Sequence, residues 1–185
     1  MKKYGRTFHL PSSPGVGSDD KVIRDLTHLR SAHEVVFTEK MDGENTTIFA
    51  DGCHARSPDS GYHASRDWMK AYAAGISPNL ADDERIIGEY LFAKHSVSYD
   101  DLPSYFLGFA WIVGNKVRKW DETMARFEEL GVKPVPVLHR GKFDTATVNS
   151  VLEGLDFEKQ EGFVVRSVSA FVESDMAAHI AKYVR

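Results

Sequence analysis

Five short runs of β-branched and aromatic residues constrain the fold of this 185-residue chain more than any other feature. The runs are EVVFTEK, NTTIFA, RIIGEYLFA, SYFLGFAWIV and GFVVRSV, and each has the length and composition of a β-strand. Helix-like segments do not alternate with them regularly, as they would in a parallel βαβ sheet. We therefore expect an α+β fold with mainly antiparallel β-sheets and flanking helices.

Three further segments have the apolar spacing of short helices. They are RDWMKAYAAG, ETMARFEELG and TATVNSVLEG, and the residues that precede them, predicted as N-caps, are Ser65, Asp121 and Asp144. Gly131 is expected to end the second helix. The stretch IVGNKV predicts a hairpin whose turn is the Gly-Asn pair.

Composition limits the classes of function. A formal net charge of −4 excludes a broadly basic surface, so any contact with nucleic acid needs a local patch. Cys53 is the single cysteine, which fits a reducing compartment. No stretch has the apolar length of a signal peptide or of a membrane span. We therefore expect a cytoplasmic protein with no membrane contact.

Lys40 stands where the run EVVFTEK ends, between Glu39 and the turn-forming residues MDG. Asp42, two residues on, shares one side of an extended chain with it. A free lysine amine has a pKa of about 10.4, so it is almost wholly protonated at neutral pH. Neighbouring carboxylates alone would raise that pKa, whereas a divalent cation held by them would favour the neutral nucleophile. Burial of the amine would also favour the neutral form, but the two carboxylates fit catalysis by Lys40 only if they hold a divalent cation close to the amine.

EKMDG resembles the K-x-D-G motif of the covalent nucleotidyltransferases, which comprise RNA ligases, DNA ligases and mRNA capping enzymes. Five further stretches resemble later motifs of that superfamily in the same order. HARSPDSG carries Arg56, IIGEYLF carries Glu89, SYFLGFAWI carries an aromatic residue, EGFVVR carries Glu161 and AKYVR carries Lys182. Among these families the chain is most similar to the phage-type and bacterial ATP-dependent RNA ligases, and the longer phrases HSVSYDDLPSYF and RTFHLPSSPG resemble a bacterial RNA-ligase-related branch.

This resemblance implies a single nucleotidyltransferase (adenylylation) domain over residues 1–185, related to the ATP-grasp-like ligases, with no OB-fold or other C-terminal module. ATP and Mg²⁺ (or Mn²⁺) would be the cofactors. Lys40 would attack the α-phosphorus of ATP and become lysyl-AMP. The AMP would pass to the 5′-phosphate of an RNA end, and a 3′-hydroxyl would displace it to seal the break. An accessory protein or a missing C-terminal module would dock the strand.

The resemblance also implies which carboxylates hold the metal. Glu161 is expected to bind Mg²⁺ through waters, since this ion keeps several of them. Asp42 either shares that metal shell or positions the amine. Glu89 either contacts the ribose hydroxyls or ligates a metal in the later steps.

Nucleotide contacts follow from the same comparison. Arg56 is expected to contact ribose and phosphate oxygens. Phe109 is expected to stack on the purine, with Phe106 as the alternative. Glu39, through its side chain or its backbone, would accept a hydrogen bond from the adenine amino group. The stretch RTFHLPSSPG either closes over the nucleotide or packs beneath the sheet.

Lys182 is expected to grip the triphosphate from an extended strand. The related motif has two lysines two positions apart, and this chain has one of them. Arg66 or Arg166 would supply the second cation. These two arginines, together with Arg185, are also the candidate contacts to nucleic acid.

Three other functions stay open at this stage. The chain could be the core of a DNA ligase or of a GTP-dependent capping enzyme, which usually carry an OB-fold domain after the last motif. It could also be a non-catalytic nucleotide- or RNA-binding module on the same fold. The presence of Lys40, Asp42 and Glu161 disfavours this last alternative, because a decayed copy is expected to lose the nucleophile first.

Overall fold

The computed structural model describes residues 2–56 and 63–185, which divide into two compact units. Residues up to Tyr4 together with Asp42–Val135 form one of them, the central unit. Gly5–Met41 together with Pro136–Arg185 form the other, the terminal unit. The boundary between Met41 and Asp42 therefore divides the EKMDG motif.

Helices and strands are numbered along the chain. The helices are α1 (Thr27–Ser31), α2 (Asp67–Ile76), α3 (Trp120–Leu130), α4 (Thr145–Glu153) and α5 (Met176–His179). The strands are β1 (Phe8–His9), β2 (Val35–Glu39), β3 (Glu44–Phe49), β4 (Gly52–Ala55), β5 (Glu84–Tyr90), β6 (Phe106–Val113), β7 (Lys116–Val117), β8 (Lys133–Pro134), β9 (Val137–Gly141), β10 (Gly162–Ser167), β11 (Phe171–Val172) and β12 (Ile180–Val184).

The terminal unit is built on a sheet with strand order β1-β12-β10-β2-β9. The short β1 runs parallel to β12, and the other pairs are antiparallel. One face carries the apolar core, in which Phe37 and Phe163 are fully buried and pack near Leu29 of α1 and Val151 of α4. Because side chains alternate along a strand, residues at the intervening positions share the opposite face. That face carries Lys182.

The central unit is built on strands in the order β7-β6-β5-β3-β4, with β8 beside β6. Its core lies between the sheet and helices α2 and α3, where Ile48, Met69 and Phe127 are almost fully buried. The fold class predicted from the sequence, α+β with mainly antiparallel sheets, is confirmed. None of the helices in the described residues is both long and apolar enough to cross a bilayer.

Most of the predicted elements are present, and two predicted caps are wrong. Asp144 caps α4, since its side chain accepts a hydrogen bond from the Thr147 N–H at 2.7 Å. Ser65 instead lies inside a 3₁₀ turn, where its N–H donates to the His63 ring. Asp121 lies inside α3, which begins one residue earlier at the buried Trp120. The His63 ring binds the Ser65 N–H and keeps Ser65 in a turn, so α2 begins after it. Burial of Trp120 places the start of α3 one residue before the predicted cap.

The stretch RTFHLPSSPG adds an edge to the terminal sheet. Leu10 N–H donates to the Lys182 carbonyl at 2.7 Å, and Gly15 N–H donates to the Val184 carbonyl at 3.0 Å. Ser13 accepts from the Val184 N–H through its hydroxyl. The N-terminal segment thus lies alongside β12, rather than beneath the sheet as one expectation had it.

Candidate active site

Lys40 and Glu161 form an ion pair at the end of two neighbouring strands. The Lys40 Nζ lies 2.9 Å from Glu161 Oε2, and each side chain is 24% exposed. The same Nζ donates to the Met41 carbonyl oxygen at 2.9 Å. Lys40 follows β2, and its N–H donates to the Gly162 carbonyl at 2.9 Å, which extends the β2–β10 ladder by one residue.

The glycine beside Glu161 in EGFVVR, Gly162, lies where the backbone leaves no room for a side chain. Its φ is +155°, and an added Cβ would lie 1.9 Å from the Tyr183 carbonyl oxygen of β12. A side chain at this position would push the two strands apart. The close approach keeps Glu161 at the start of β10, beside the end of β2.

Lys182 is held by a group of polar residues that sequence reasoning missed. Its Nζ lies 3.6 Å from Asp20 Oδ1, and Asp20 Oδ2 lies 3.3 Å from Nε2 of the buried His9. His9 pairs with Lys182 in the β1–β12 register, and its Nδ1 is 2.8 Å from the Ser13 hydroxyl. No local pattern marks Asp20 or His9, because the pairing of two distant segments creates this site.

The charges of this group are coupled. Burial lowers the pKa of Lys182, and the positive charge of Lys40 lowers it further, whereas Asp20 and Glu161 oppose the shift. Burial resists ionisation of Asp20, but the Gly17 N–H and the Lys182 charge outweigh it and lower the pKa of this carboxyl. Two lysines and two carboxylates of the terminal unit thus form one electrostatic cluster.

The Glu39 carboxyl is partly buried. Burial raises the pKa of its carboxyl, although a hydrogen bond donated by Gln160 Nε2 at 2.9 Å opposes the shift. Its backbone N–H donates to the Pro136 carbonyl. The Glu39 carboxylate therefore already accepts one hydrogen bond, from Gln160.

The central unit holds Asp42 and Glu89 through backbone contacts. Asp42 Oδ2 accepts from the Val97 N–H at 2.9 Å, and the Asp42 N–H donates to the Tyr99 hydroxyl at 2.8 Å. Glu89 is 9% exposed, and its Oε1 accepts from the Gly43 N–H at 3.2 Å. A Cβ on Gly43 would lie 2.5 Å from the Tyr90 carbonyl, so the motif glycine permits close approach to β5.

The two aromatic candidates differ in exposure. Phe106 is fully buried in the core of the central unit, so the alternative of purine stacking by Phe106 is wrong. Phe109 is partly exposed and lies at a β-bulge, because Ile87 and Gly88 of β5 pair with Ala110 and Gly108 and leave Phe109 between them. Bulges re-aim side chains in this way. The purine-stacking role of Phe109 stays a prediction.

The arginine candidates are dispersed. Arg56 is exposed, and the rest of its motif, residues 57–61, lies outside the described residues. Arg66 forms an ion pair with Glu44 in the central unit. Arg166 is 4% exposed, with its guanidinium 5.3 Å from the Phe171 ring, which is a core environment rather than an RNA-facing one. Arg185 is exposed and lies over Phe157 at 5.1 Å.

No group of three or more histidine, cysteine or carboxylate side chains gathers within metal-ligand reach in the part of the chain that the structure describes. A preformed metal cage is thus not seen among these residues. A carboxylate that holds a hydrated Mg²⁺ through waters does not require one. Glu161, whose side chain is 24% exposed, fits that second kind of site, because its partner in this structure is an ammonium that a cation can replace.

The sequence matches the RNA ligase family over residues 33–184. The chain belongs to the RNA ligase family. That range includes Lys40, Asp42, Glu89, Glu161 and Lys182. A search of curated proteins found no match for this member of the family.

Solved structures share the fold at low sequence identity. An archaeal ATP-dependent RNA ligase matches all of this chain and 48% of its own, with TM-score 0.69 and 16% identity. The RNA ligase of Naegleria gruberi, in a variant with AMP and Mn, matches with TM-score 0.60 and 15% identity over 100% of this chain and 56% of that one. An Aquifex aeolicus protein described as a putative ATP-dependent DNA ligase matches with TM-score 0.62 and 19% identity, over 100% of this chain and 50% of its own. This RNA ligase family member spans about half the length of each.

Proposed function

We propose that this chain is the adenylylating core of an ATP-dependent RNA ligase, with Lys40 as the nucleophile. The observation that carries the proposal is the cluster of Lys40, Glu161 and Lys182 on one sheet of the terminal unit. Two cations beside a carboxylate suit a polyphosphate and its metal ion better than they suit a neutral ligand. Membership of the RNA ligase family supports the same reaction class.

The amine of Lys40 is oriented for attack by its two acceptors. A neutral primary amine has two N–H donors and one lone pair. The Glu161 carboxylate and the Met41 carbonyl, both at 2.9 Å, can take the two N–H groups. The lone pair then points away from both acceptors, towards an incoming phosphorus atom. The proton that the ammonium has to lose before attack would pass to solvent water, because Glu161 has to stay ionised to hold a hydrated cation.

The positive charge of Lys182 assists in two ways. An ammonium near Lys40 disfavours a second positive charge there, which favours the neutral amine. It also neutralises charge on the phosphates as the bond to pyrophosphate breaks. When bound, Mg²⁺ would polarise the phosphate and offset its developing charge, with Glu161 as its holder in this unit.

The reaction is a sequence of displacements at phosphorus. The Lys40 nitrogen forms a bond to the α-phosphorus, and the bond to the leaving pyrophosphate breaks. An oxygen of an RNA 5′-phosphate then attacks that phosphorus, and Lys40 recovers its electron pair and a proton. Finally the RNA 3′-hydroxyl attacks the activated 5′-phosphate, loses its proton and releases AMP. Asp42, Glu89, Arg56 and Phe109 keep the nucleotide and metal roles predicted from the motifs.

DNA nick sealing is the second candidate, because the fold also matches a protein described as a DNA ligase. The two candidates share the first step and differ in the strand that supplies the 3′-hydroxyl. Comparing nicked substrates with a ribose or a deoxyribose 3′ end separates them. RNA sealing is the expected result, and faster sealing of the deoxyribose substrate would favour the second candidate.

The first step is tested with α-labelled ATP or GTP and Mg²⁺, followed by denaturation and a search for label on the protein. We expect stable label from ATP that is absent in Lys40→Ala. Lys159→Ala is the matched control, since Lys159 is 79% exposed and lies two residues before Glu161. Label from GTP alone would indicate a capping enzyme, and no label from either nucleotide would indicate a binding module.

A further inference from the structure

Four aromatic rings of the central unit form an almost parallel stack. Tyr72 and Trp68 lie with centroids 5.0 Å apart and planes 13° apart. Trp68 and Tyr90 follow at 5.9 Å and 15°, and Tyr90 and Phe92 at 6.1 Å and 16°. Tyr105 closes one side, with its ring edge-on to both Trp68 and Phe92. We call these five rings the aromatic stack.

The aromatic stack is buried at Tyr90, the ring next to Phe92, and is open at its Phe92 end. Tyr90 is 3% exposed, and its hydroxyl donates to the Ser65 carbonyl. Phe92 is 46% exposed and Tyr105 is 43% exposed. The other exposed large apolar side chains among the described residues are valines, namely Val16, Val22, Val137 and Val172. The exposed aromatic area is therefore concentrated at one place, on a rigid support.

We propose that the aromatic stack is a docking surface for an unpaired base of the RNA strand, with the base continuing the stack on the outer side of Phe92. The inference rests on the proposed function, which makes an RNA end the substrate. A planar base fits the end of a series of parallel rings, whereas an aliphatic side chain gains nothing from their alignment. Stacking of bases on aromatic side chains is a general mode of single-stranded RNA recognition.

The charged residues that follow Phe92 in the sequence offset one another, which favours stacking over electrostatic attraction as the source of affinity. Lys94 and His95 are exposed and follow Phe92 closely in the sequence. Asp100 and Asp101 are exposed a few residues later and offset that charge. We therefore expect binding that depends little on base identity and less on salt than a basic groove would show. Duplex RNA, whose bases already stack on one another, gains least from this surface.

The test is binding of a single-stranded 5′-phosphorylated RNA that carries 2-aminopurine, measured by the quenching of that base. Phe92→Leu keeps an apolar side chain of similar size but removes the ring. We expect Phe92→Leu to weaken binding about ten-fold and to abolish most of the quenching. Phe92→Tyr should bind as the wild-type chain does. Val137→Leu is the control, since Val137 is 50% exposed and belongs to the terminal unit.

Adenylylation of the same variants separates this proposal from the proposed function. Phe92→Leu should take label from ATP as the wild-type chain does, because Phe92 is not among the residues placed in the first step. Failure of the wild-type chain to take label would overturn the proposed function alone. Wild-type RNA binding by Phe92→Leu would overturn the docking surface alone. Self-association that Phe92→Leu abolishes, with RNA binding unchanged, would identify a protein interface instead.

Discussion

The carboxylate of Asp20 joins Lys182 to His9, with one oxygen 3.6 Å from the lysine Nζ and the other 3.3 Å from His9 Nε2. The loop that carries Asp20 is itself held, since the Gly17 N–H donates to Asp20 Oδ2 at 3.1 Å. An N-terminal loop thus positions a lysine near the C-terminus. This relationship makes Asp20 a positioning residue for the proposed phosphate contact.

Asp20→Asn should raise the KM for ATP in the adenylylation step about five-fold, with a smaller change in kcat. Burial and the charge of Lys40 both lower the pKa of Lys182, and the substitution removes Asp20, one of the two carboxylates that oppose them. The Lys182 ammonium then loses the carboxylate that stabilises its charge and fixes its position. The control is Asp19→Asn, an exposed neighbour on the same loop. Equal KM values for Asp20→Asn and the wild-type chain would contradict this role.

Glu161→Gln should reduce the rate of lysyl-AMP formation about 100-fold. The amide carries no charge and therefore cannot hold a hydrated cation beside Lys40. The measurement is single-turnover labelling with ATP over a range of Mg²⁺ concentrations. Glu158→Gln, at an exposed position three residues earlier, is the control and should label normally. A variant rate within a few-fold of the wild-type rate would remove Glu161 from the proposed first step.

Gly162→Ala should lower the free energy of unfolding by about 2 kcal/mol or more. Its φ of +155° disfavours a side chain, and the new Cβ would lie 1.9 Å from the Tyr183 carbonyl. Gly75→Ala is the matched control, because Gly75 lies in α2 with nothing within 4 Å of an added Cβ. That control should gain about 0.5–1 kcal/mol. Urea unfolding of both variants checks the opposite signs.

Glu39→Gln should stabilise the chain at neutral pH and change little in acid. Burial raises the pKa of the Glu39 carboxyl above its ordinary value of 4.5. The folded state therefore binds more protons than the unfolded state above that value, and stability falls as pH rises through the raised pKa. Urea midpoints measured from pH 4 upward should show the gain of Glu39→Gln growing with pH. A gain that is constant across the range would contradict the assignment.

The strands were predictable because the β-branched and aromatic residues that favour a strand are also the apolar residues that the core buries. EVVFTEK and GFVVRSV are β-branched runs that pair with each other in the terminal sheet, as β2 and β10. The order of the motifs also predicted that Lys40 and Glu161 belong to one site, and their side chains form an ion pair. The strand signal is local, and the fold adds only the register, whereas the link between Lys40 and Glu161 came from the resemblance of their motifs to those of a family.

The parts that escaped prediction depend on distant pairing or on a single inserted residue. Asp20 contacts Lys182 because a two-residue strand pairs with β12, and two residues carry no periodic pattern. The bulge at Phe109 is one extra residue in an otherwise regular strand. Ser65 had the chemistry of a cap, but the His63 ring accepts its N–H and places it within a turn.

The parallel pairing of β1 with β12 covers the edge of β12, which carries Lys182. Without residues 1–23, every lysine and carboxylate of the motifs would still be encoded. Ile180–Val184 would then become the rim of the sheet, with its backbone donors and acceptors open to another chain. A shortened form would thus lose solubility and the anchorage of Lys182 together, although the motifs of the RNA ligase family would remain in its sequence.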